Sequence, residues 1–445
     1  MSSTTILKSG TIVNEGQQFV ADILIKNGRI EKIASTISNE MNAEEIDVTG
    51  KLILPGCIDD QVHFREPGLT HKGDIRSESR AAVAGGITSY MEQPNTNPAA
   101  TTIVELEKKY QRASEVSIAN YSFNMGATND NLEELKKVSK REVAGIKIFM
   151  GSSTGNMLVD ERSTLQEIFQ LDHQLITHCE DEGTIQANLK AAKEKYGDNI
   201  PMSMHPLIRS EEACYLSSSA AVELAKKYGS RLHVFHISTA KELELFDNTI
   251  PLEQKKITAE ACIHHMWFSE EDYAEKGTYI KWNPAVKKAS DRDAIFQAVL
   301  DNKIDVIATD HAPHTIEEKE NSYLNAPSGG PLVQHGLLAM LERVEQKKIS
   351  IERVVEKMAH APAILFKVEE RGYIREGYFA DLVVVDPSQN YAVTKENILY
   401  KCGWSPFEGV TFSNSIAMTF VNGNMVYRNG LVLDGTIGSR LLFNR

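Results

Sequence analysis

No stretch of this 445-residue chain carries the roughly 18 consecutive apolar residues that a membrane-spanning helix requires. Its first residues, MSSTTILKSGTIV, lack the basic stretch followed by an apolar core that marks a secretory leader. These absences predict a cytoplasmic protein with no membrane partner. Lys and Arg number 48 against 61 Asp and Glu, the net charge is −13, and no dense basic block offsets that balance. Nucleic acid is therefore excluded as a partner, and an anionic small molecule would need local basic groups. Cysteine is sparse: Cys57, Cys179, Cys214, Cys262 and Cys402 are odd in number, far apart, and form no C-x-x-C pair. Reduced structural thiols are expected rather than disulfides. A low-complexity tail and a short-period repeat are also missing.

What the chain does have is length for one large domain and a smaller one, with a hydrophobic fraction of 42% to fill a core. Short alternating runs fill residues 4–50, with a turn at Lys26-Asn27-Gly28-Arg29. The same signature returns in REGYFADLVVVDP and TFVNGNMVYRNG, whose turns are Asn422-Gly423 and Asn429-Gly430. Two β-rich ends predict one small composite β-sandwich from residues 1–51 plus 372–445. Between them, over 52–371, apolar strands alternate with amphipathic helices, the pattern of parallel βα units. The candidate strands are Leu52–Phe64, Ile87–Gln93, Ile118–Gly126, Val143–Met150, Gln174–Cys179, Leu232–His236, Ile257–Ala261 and Ile304–Thr309. They predict an α/β fold, a (β/α)₈ TIM-like barrel.

Ligand-type residues recur near the C-terminal ends of these strands, where such barrels place their chemistry. IDDQVHFREPG brings His63 and Arg65 to the end of the first strand. Lys147 lies in AGIKIFMGSSTG between Ile146 and Ile148, and a buried ammonium there calls for a reason. His178 ends LITHCED's strand and His236 ends LHVFHIS's, offering neutral nitrogens to a metal such as Zn²⁺. Strand alternation puts Leu232, Val234 and His236 on one face and His233 on the other, which selects His236. Asp310, in IDVIATDHAPH, ends the eighth strand. Any one of these alone would read as a surface, packing or capping residue; their recurrence favours one shared centre. Arg65 offers a planar pair of donors suited to a carboxylate, and Asn95, Asn283 and His314 add polar contacts. In APSGGP, Gly329 and Gly330 permit close backbone approach to a ligand. The other histidines, His233 and His311 included, receive no role.

Together these motifs resemble the dihydroorotase family, cyclic-amide hydrolases of the amidohydrolase superfamily, over nearly the whole chain. The resemblance implies a binuclear centre: His178, His236 and a carbamate on Lys147 around one Zn²⁺, and His63, the same carbamate and Asp310 around a second. The superfamily's first strand normally carries His-x-His, whereas this chain has Gln61 before His63. An amide oxygen is a poorer partner for zinc than imidazole, so one firmly bound and one weak ion are expected. Asp310 takes the part of general base and acid, while Arg65 and Asn95 match the family's carboxylate-holding residues. Hydantoinases and allantoinases, whose substrates lack that carboxylate, are not expected to have arginine there. The implied reaction is reversible hydrolysis of dihydroorotate to N-carbamoyl-aspartate, a step of pyrimidine biosynthesis, in a homodimer. Two further readings stand beside it. One is a catalytically silent relative associated with aspartate transcarbamoylase, motivated by Gln61; the other is a hydrolase of another cyclic ureide, allantoinase- or hydantoinase-like.

Overall fold

The computed structural model describes residues 4–39, 42–151, 156–435 and 438–445. Residues 152–155, the end of the AGIKIFMGSSTG stretch, lie outside them. Eight parallel strands form the barrel: β1 (Cys57–Val62), β2 (Ile87–Glu92), β3 (Asn120–Phe123, continued by Met125–Gly126), β4 (Ile146–Phe149), β5 (Gln174–His178), β6 (Arg231–Val234), β7 (Ile257–Cys262) and β8 (Val306–Ala308). β1, β2 and β3 pair in order, the continuation of β3 leads through β4 to β8, and a parallel bridge from Val62 to His311 closes the ring.

Helices cover the strands, and their starts follow from the sequence. Asp74 and Ser77 cap Ile75–Ala84 reciprocally, and the Asp181 and Ser210 side chains accept from the first turns of Glu182–Tyr196 and Glu211–Tyr228. The bottom of the barrel is stoppered by Ala361–Phe366, whose Ala361, Leu365 and Phe366 pack with Ile58, Met91, Ile176, Phe235 and Val306. Apolar filling at that end leaves the opposite mouth as the place for polar groups.

Both termini join one sheet of nine strands among the described residues, around a separate apolar cluster that includes Leu7, Ile23, Ile53, Leu382 and Val384. The stretch Leu52–Phe64, expected as one strand, divides at Gly56. Leu52–Pro55 pairs with Leu382–Asp386 in the terminal sheet, and β1 begins only at Cys57. The division has a steric cause: a Cβ at Gly56 would meet Thr88 Oγ1 at 2.1 Å, so only glycine lets the chain cross from sheet to barrel this closely.

Candidate active site

Three strand ends carry their functional side chains on left-handed backbone: Arg65 (φ 71°), His236 (φ 39°) and Asp310 (φ 47°). Such a conformation costs a non-glycine residue about 1 kcal/mol or more and collects at functional sites. On β6 it overturns the face assignment made from alternation. His233 and Phe235 face the barrel interior, where His233 meets Asp60 and the Phe366 ring. His236 reaches the mouth because the chain bends there. β1 does the same by a register slip against β2 between Asp59 and Val62. That slip places Asp60 in the interior and Gln61 in the mouth.

One cavity of about 540 Å³ is lined by Gln61, His63, Arg65, Asn95, Lys147, His178, His236, Asn283, Asp310, His314 and Gly329, with Phe149, Trp282 and Arg209 among its other walls. Gly330, expected beside Gly329, stands behind that wall, where a Cβ would meet the Trp282 ring at 2.6 Å.

Four donors form two close pairs. His63 Nε2 lies 3.2 Å from Asp310 Oδ1, and its Nδ1 donates to Asn95 Oδ1 at 2.9 Å. With the proton on Nδ1, the Nε2 lone pair confronts a carboxylate oxygen. His178 Nε2 donates to Glu180 Oε2 at 3.0 Å, so its Nδ1 lone pair faces His236 Nε2 at 3.0 Å. His63 and His178 are each oriented by a hydrogen bond from the far nitrogen, as ligating histidines are, and their near nitrogens meet Asp310 and His236 at separations that one ion could span. The residues present therefore fit a metal. Among the described residues, neither pair gains a third carboxylate, imidazole or thiol close enough to share one ion. Lys147 lines the same cavity, and its charge acts on His63, His178, His236 and Asp310 alike.

Burial drives Lys147 down to about 7, with Glu260 and Asp310 opposing the fall. Its Nζ rests 3.9 Å from the centre of the Phe235 ring. Burial raises Asp310 to about 7 despite Lys147, His178 and Arg65. Burial likewise holds His63 and His236 well below their ordinary value, keeping them neutral and able to ligate.

On the substrate side, Arg65 Nε donates to the Pro313 carbonyl at 3.0 Å, and the guanidinium lies 3.0 Å from His314 Nε2. Burial lowers Arg65 only to about 10, so it remains a cation at neutral pH. His314 Nδ1 lies 3.0 Å from the Lys72 ammonium and its Nε2 3.0 Å from the Ser328 carbonyl, so the ring is held between the Lys72 and Arg65 cations. Asn283 Oδ1 is buried at the cavity with no hydrogen-bond partner among the described residues. Residues that sequence reasoning passed over complete the centre. Glu180, two places after His178, orients it, and Arg209 closes an ion pair on the same Glu180 oxygen. Burial would raise Glu180, but Arg209 and His178 bring it to about 2, so it stays an anion.

Fold and site define a class. The chain belongs to the amidohydrolase family, whose model matches residues 52–426. Within it, the chain is 32% identical over 430 residues to a dihydroorotase of Methanosphaera stadtmanae, covering 96% of each, and 33% identical over 430 residues to a dihydroorotase of Carboxydothermus hydrogenoformans, covering 95% of this chain and 98% of the relative. Among solved structures, an L-hydantoinase (dihydropyrimidinase) from Arthrobacter aurescens superposes with a TM-score of 0.94 at 27% identity, covering all of both chains. A dihydropyrimidinase from Brevibacillus agri gives 0.88 at 23% identity, again over both whole chains, a likeness of fold. No helix among the described residues is long and apolar enough to cross a membrane.

Proposed function

We propose that this chain is a dihydroorotase, hydrolysing the cyclic amide of dihydroorotate reversibly to N-carbamoyl-aspartate. The observation that carries the reading is the meeting, in one cavity, of two close donor pairs, Lys147 and the Arg65 cation. His178 and His236 would hold one zinc ion and His63 and Asp310 the other, with Lys147 as carbamate shared by both. Bound metal supplies a Lewis acid that acidifies water and polarises an amide carbonyl.

The chain's own groups do the rest. Arg65 pairs with the ring carboxylate and fixes its orientation, helped by Asn95, Asn283, His314 and the backbone at Gly329. Asp310 accepts the proton of the attacking water and passes it to the ring nitrogen as the amide bond breaks. An Asp310 pKa near neutrality suits a group that must hold and release a proton in both directions. Gln61 would offer an amide oxygen where the family pattern has imidazole, so an ion at His63 and Asp310 would bind more weakly. On likeness to the family alone, the reading includes a cytoplasmic homodimer able to associate with aspartate transcarbamoylase; sedimentation with and without that partner checks it.

The retained donors and Glu180 speak against a silent relative. A second reading, hydrolysis of hydantoin, draws on the solved neighbour's likeness, and Arg65 separates the two. Purified zinc-loaded protein should turn over dihydroorotate in an ultraviolet assay and favour it over hydantoin and allantoin. Arg65→Gln should cost about 10–100-fold, mainly in KM, as loss of hydrogen bonds to a charged group does. Preference for hydantoin, or indifference to Arg65→Gln, would overturn the assignment.

A further inference from the structure

One layer below the mouth, the barrel holds a second group of ionisable side chains. Asp60 on β1, His233 on β6 and Glu260 on β7 are fully buried, and one ligand atom of each lies within 4.8 Å of the others. Barrel interiors are normally filled by branched apolar side chains, as the layer of Ile58, Ile176 and Val306 beneath them is. Two carboxylates in such surroundings require a countercharge or a proton.

The protons around His233 indicate what supplies it. Thr258 Oγ1 donates to the Leu232 carbonyl at 3.2 Å, so at 2.8 Å it accepts from His233 Nδ1, which therefore carries the ring proton. Nε2 then turns its lone pair on Asp60 Oδ2 at 3.1 Å, acceptor against acceptor. Asp60 Oδ1 and Glu260 Oε2 are buried with no hydrogen-bond partner among the described residues. A second proton on the ring would bridge Nε2 to Asp60 and leave both of those oxygens unanswered. A divalent cation answers all three groups.

We propose that Asp60, His233 and Glu260 form a second metal site, inside the barrel, that takes a zinc-class divalent cation and ties β1, β6 and β7 together. Two carboxylates balance the ion's charge, and one imidazole with carboxylate oxygens is a ligand set zinc accepts. The 3.1 Å between Nε2 and Oδ2 is close to the edge of about 3.3 Å that tetrahedral bonds of about 2.0 Å would give. Glu260 is already aligned: its Oε1 accepts from the His236 amide at 3.0 Å and from Cys262 Sγ at 3.1 Å, which frees Oε2 for the ion. Carbamylation of Lys147 adds to the need, because it removes the ammonium that otherwise faces Glu260.

Anomalous scattering at the zinc edge from crystals of zinc-loaded protein should give a peak bounded by residues 60, 233 and 260, separate from density at the mouth. In solution, Asp60→Asn, which keeps the shape and removes the charge, should carry about one equivalent of zinc fewer than the parent by elemental analysis. Lys147→Ala should retain that equivalent while losing zinc from the mouth. An interior without anomalous density, or an Asp60→Asn protein with the parent's zinc content, overturns the proposal. If Asp60→Asn does not fold, the map of the parent decides alone. Metal is counted here and turnover is not, so an error in the substrate assignment would leave this result standing.

Discussion

Two buried lysines, in two regions of the same molecule, show how differently a hidden ammonium can be used. Lys319 lies behind the loop at residues 326–331 and donates to the carbonyls of Gly329, Pro327 and Lys281 at 2.8, 2.9 and 3.4 Å. Three acceptors match its three N–H donors, so it works as a strut that shapes the cavity wall. Lys147 is equally hidden, yet among the described residues no group accepts a hydrogen bond from it; it has the faces of Phe235 and Phe149 and an open cavity instead. A saturated amine holds structure. An amine left in want of partners is available for chemistry.

The strongest way to break this contrast is Lys147→Met. Losing the bridge should lower turnover by at least about 10³-fold, since metal stabilisation of the transition state amounts to several kcal/mol. Its urea midpoint should be unchanged or higher, because a desolvated cation gives way to an apolar chain beside two rings. An active Lys147→Met enzyme ends the carbamate reading. Lys319→Met should behave oppositely. Stranding buried carbonyls costs about 3 kcal/mol of unfolding free energy, and kcat should change far less than in Lys147→Met. Urea titration and steady-state kinetics, run together, test whether the two effects part as described.

A subtler check uses pH on metal-free protein. Lys147 binds CO₂ only as neutral amine, so ¹³C-bicarbonate incorporation, followed by NMR, should rise as pH climbs through about 7. The folded chain releases this proton near 7 and the unfolded chain near the ordinary 10.5, so Lys147 adds stability as pH rises between those values. Asp310 acts in the other direction. Its folded pKa of about 7 exceeds the ordinary 3.8, and stability falls as pH rises between them. Urea midpoints of the metal-free protein should therefore dip near neutrality; a flat profile would mean that neither group is as desolvated as its burial implies. The smallest expected effect is that of Gln61→His, which should tighten the weaker ion by about 10-fold, one better ligand's worth, in zinc titration.

The barrel and the residues gathered at its mouth were legible because they are written in short periods: apolar strands, intervening helices, and polar residues at strand ends. What alternation could not convey was bending. It brought His236 to the cavity by the wrong route, since Leu232 and Val234 do not share its face and His233 points inward. Asp60 was illegible for the same reason, because a register slip has no signature in residue type. Glu180 could have been read from its place two residues beyond His178. Arg209 could not, since it lies 29 positions along the chain from Glu180. Leu52–Phe64 misled because one apolar run serves two sheets in succession, and only the closeness of Thr88 to Gly56 tells where it changes allegiance.

The left-handed turns at Arg65, His236 and Asp310 carry a lesson for anyone wishing to move this centre elsewhere. Grafting the same side chains onto straight strands of another barrel would send some of them outward toward the helices, however faithfully the letters were copied. The portable unit is the side chain together with its kink, and a design that omits the kinks has copied the parts list without the hinge positions.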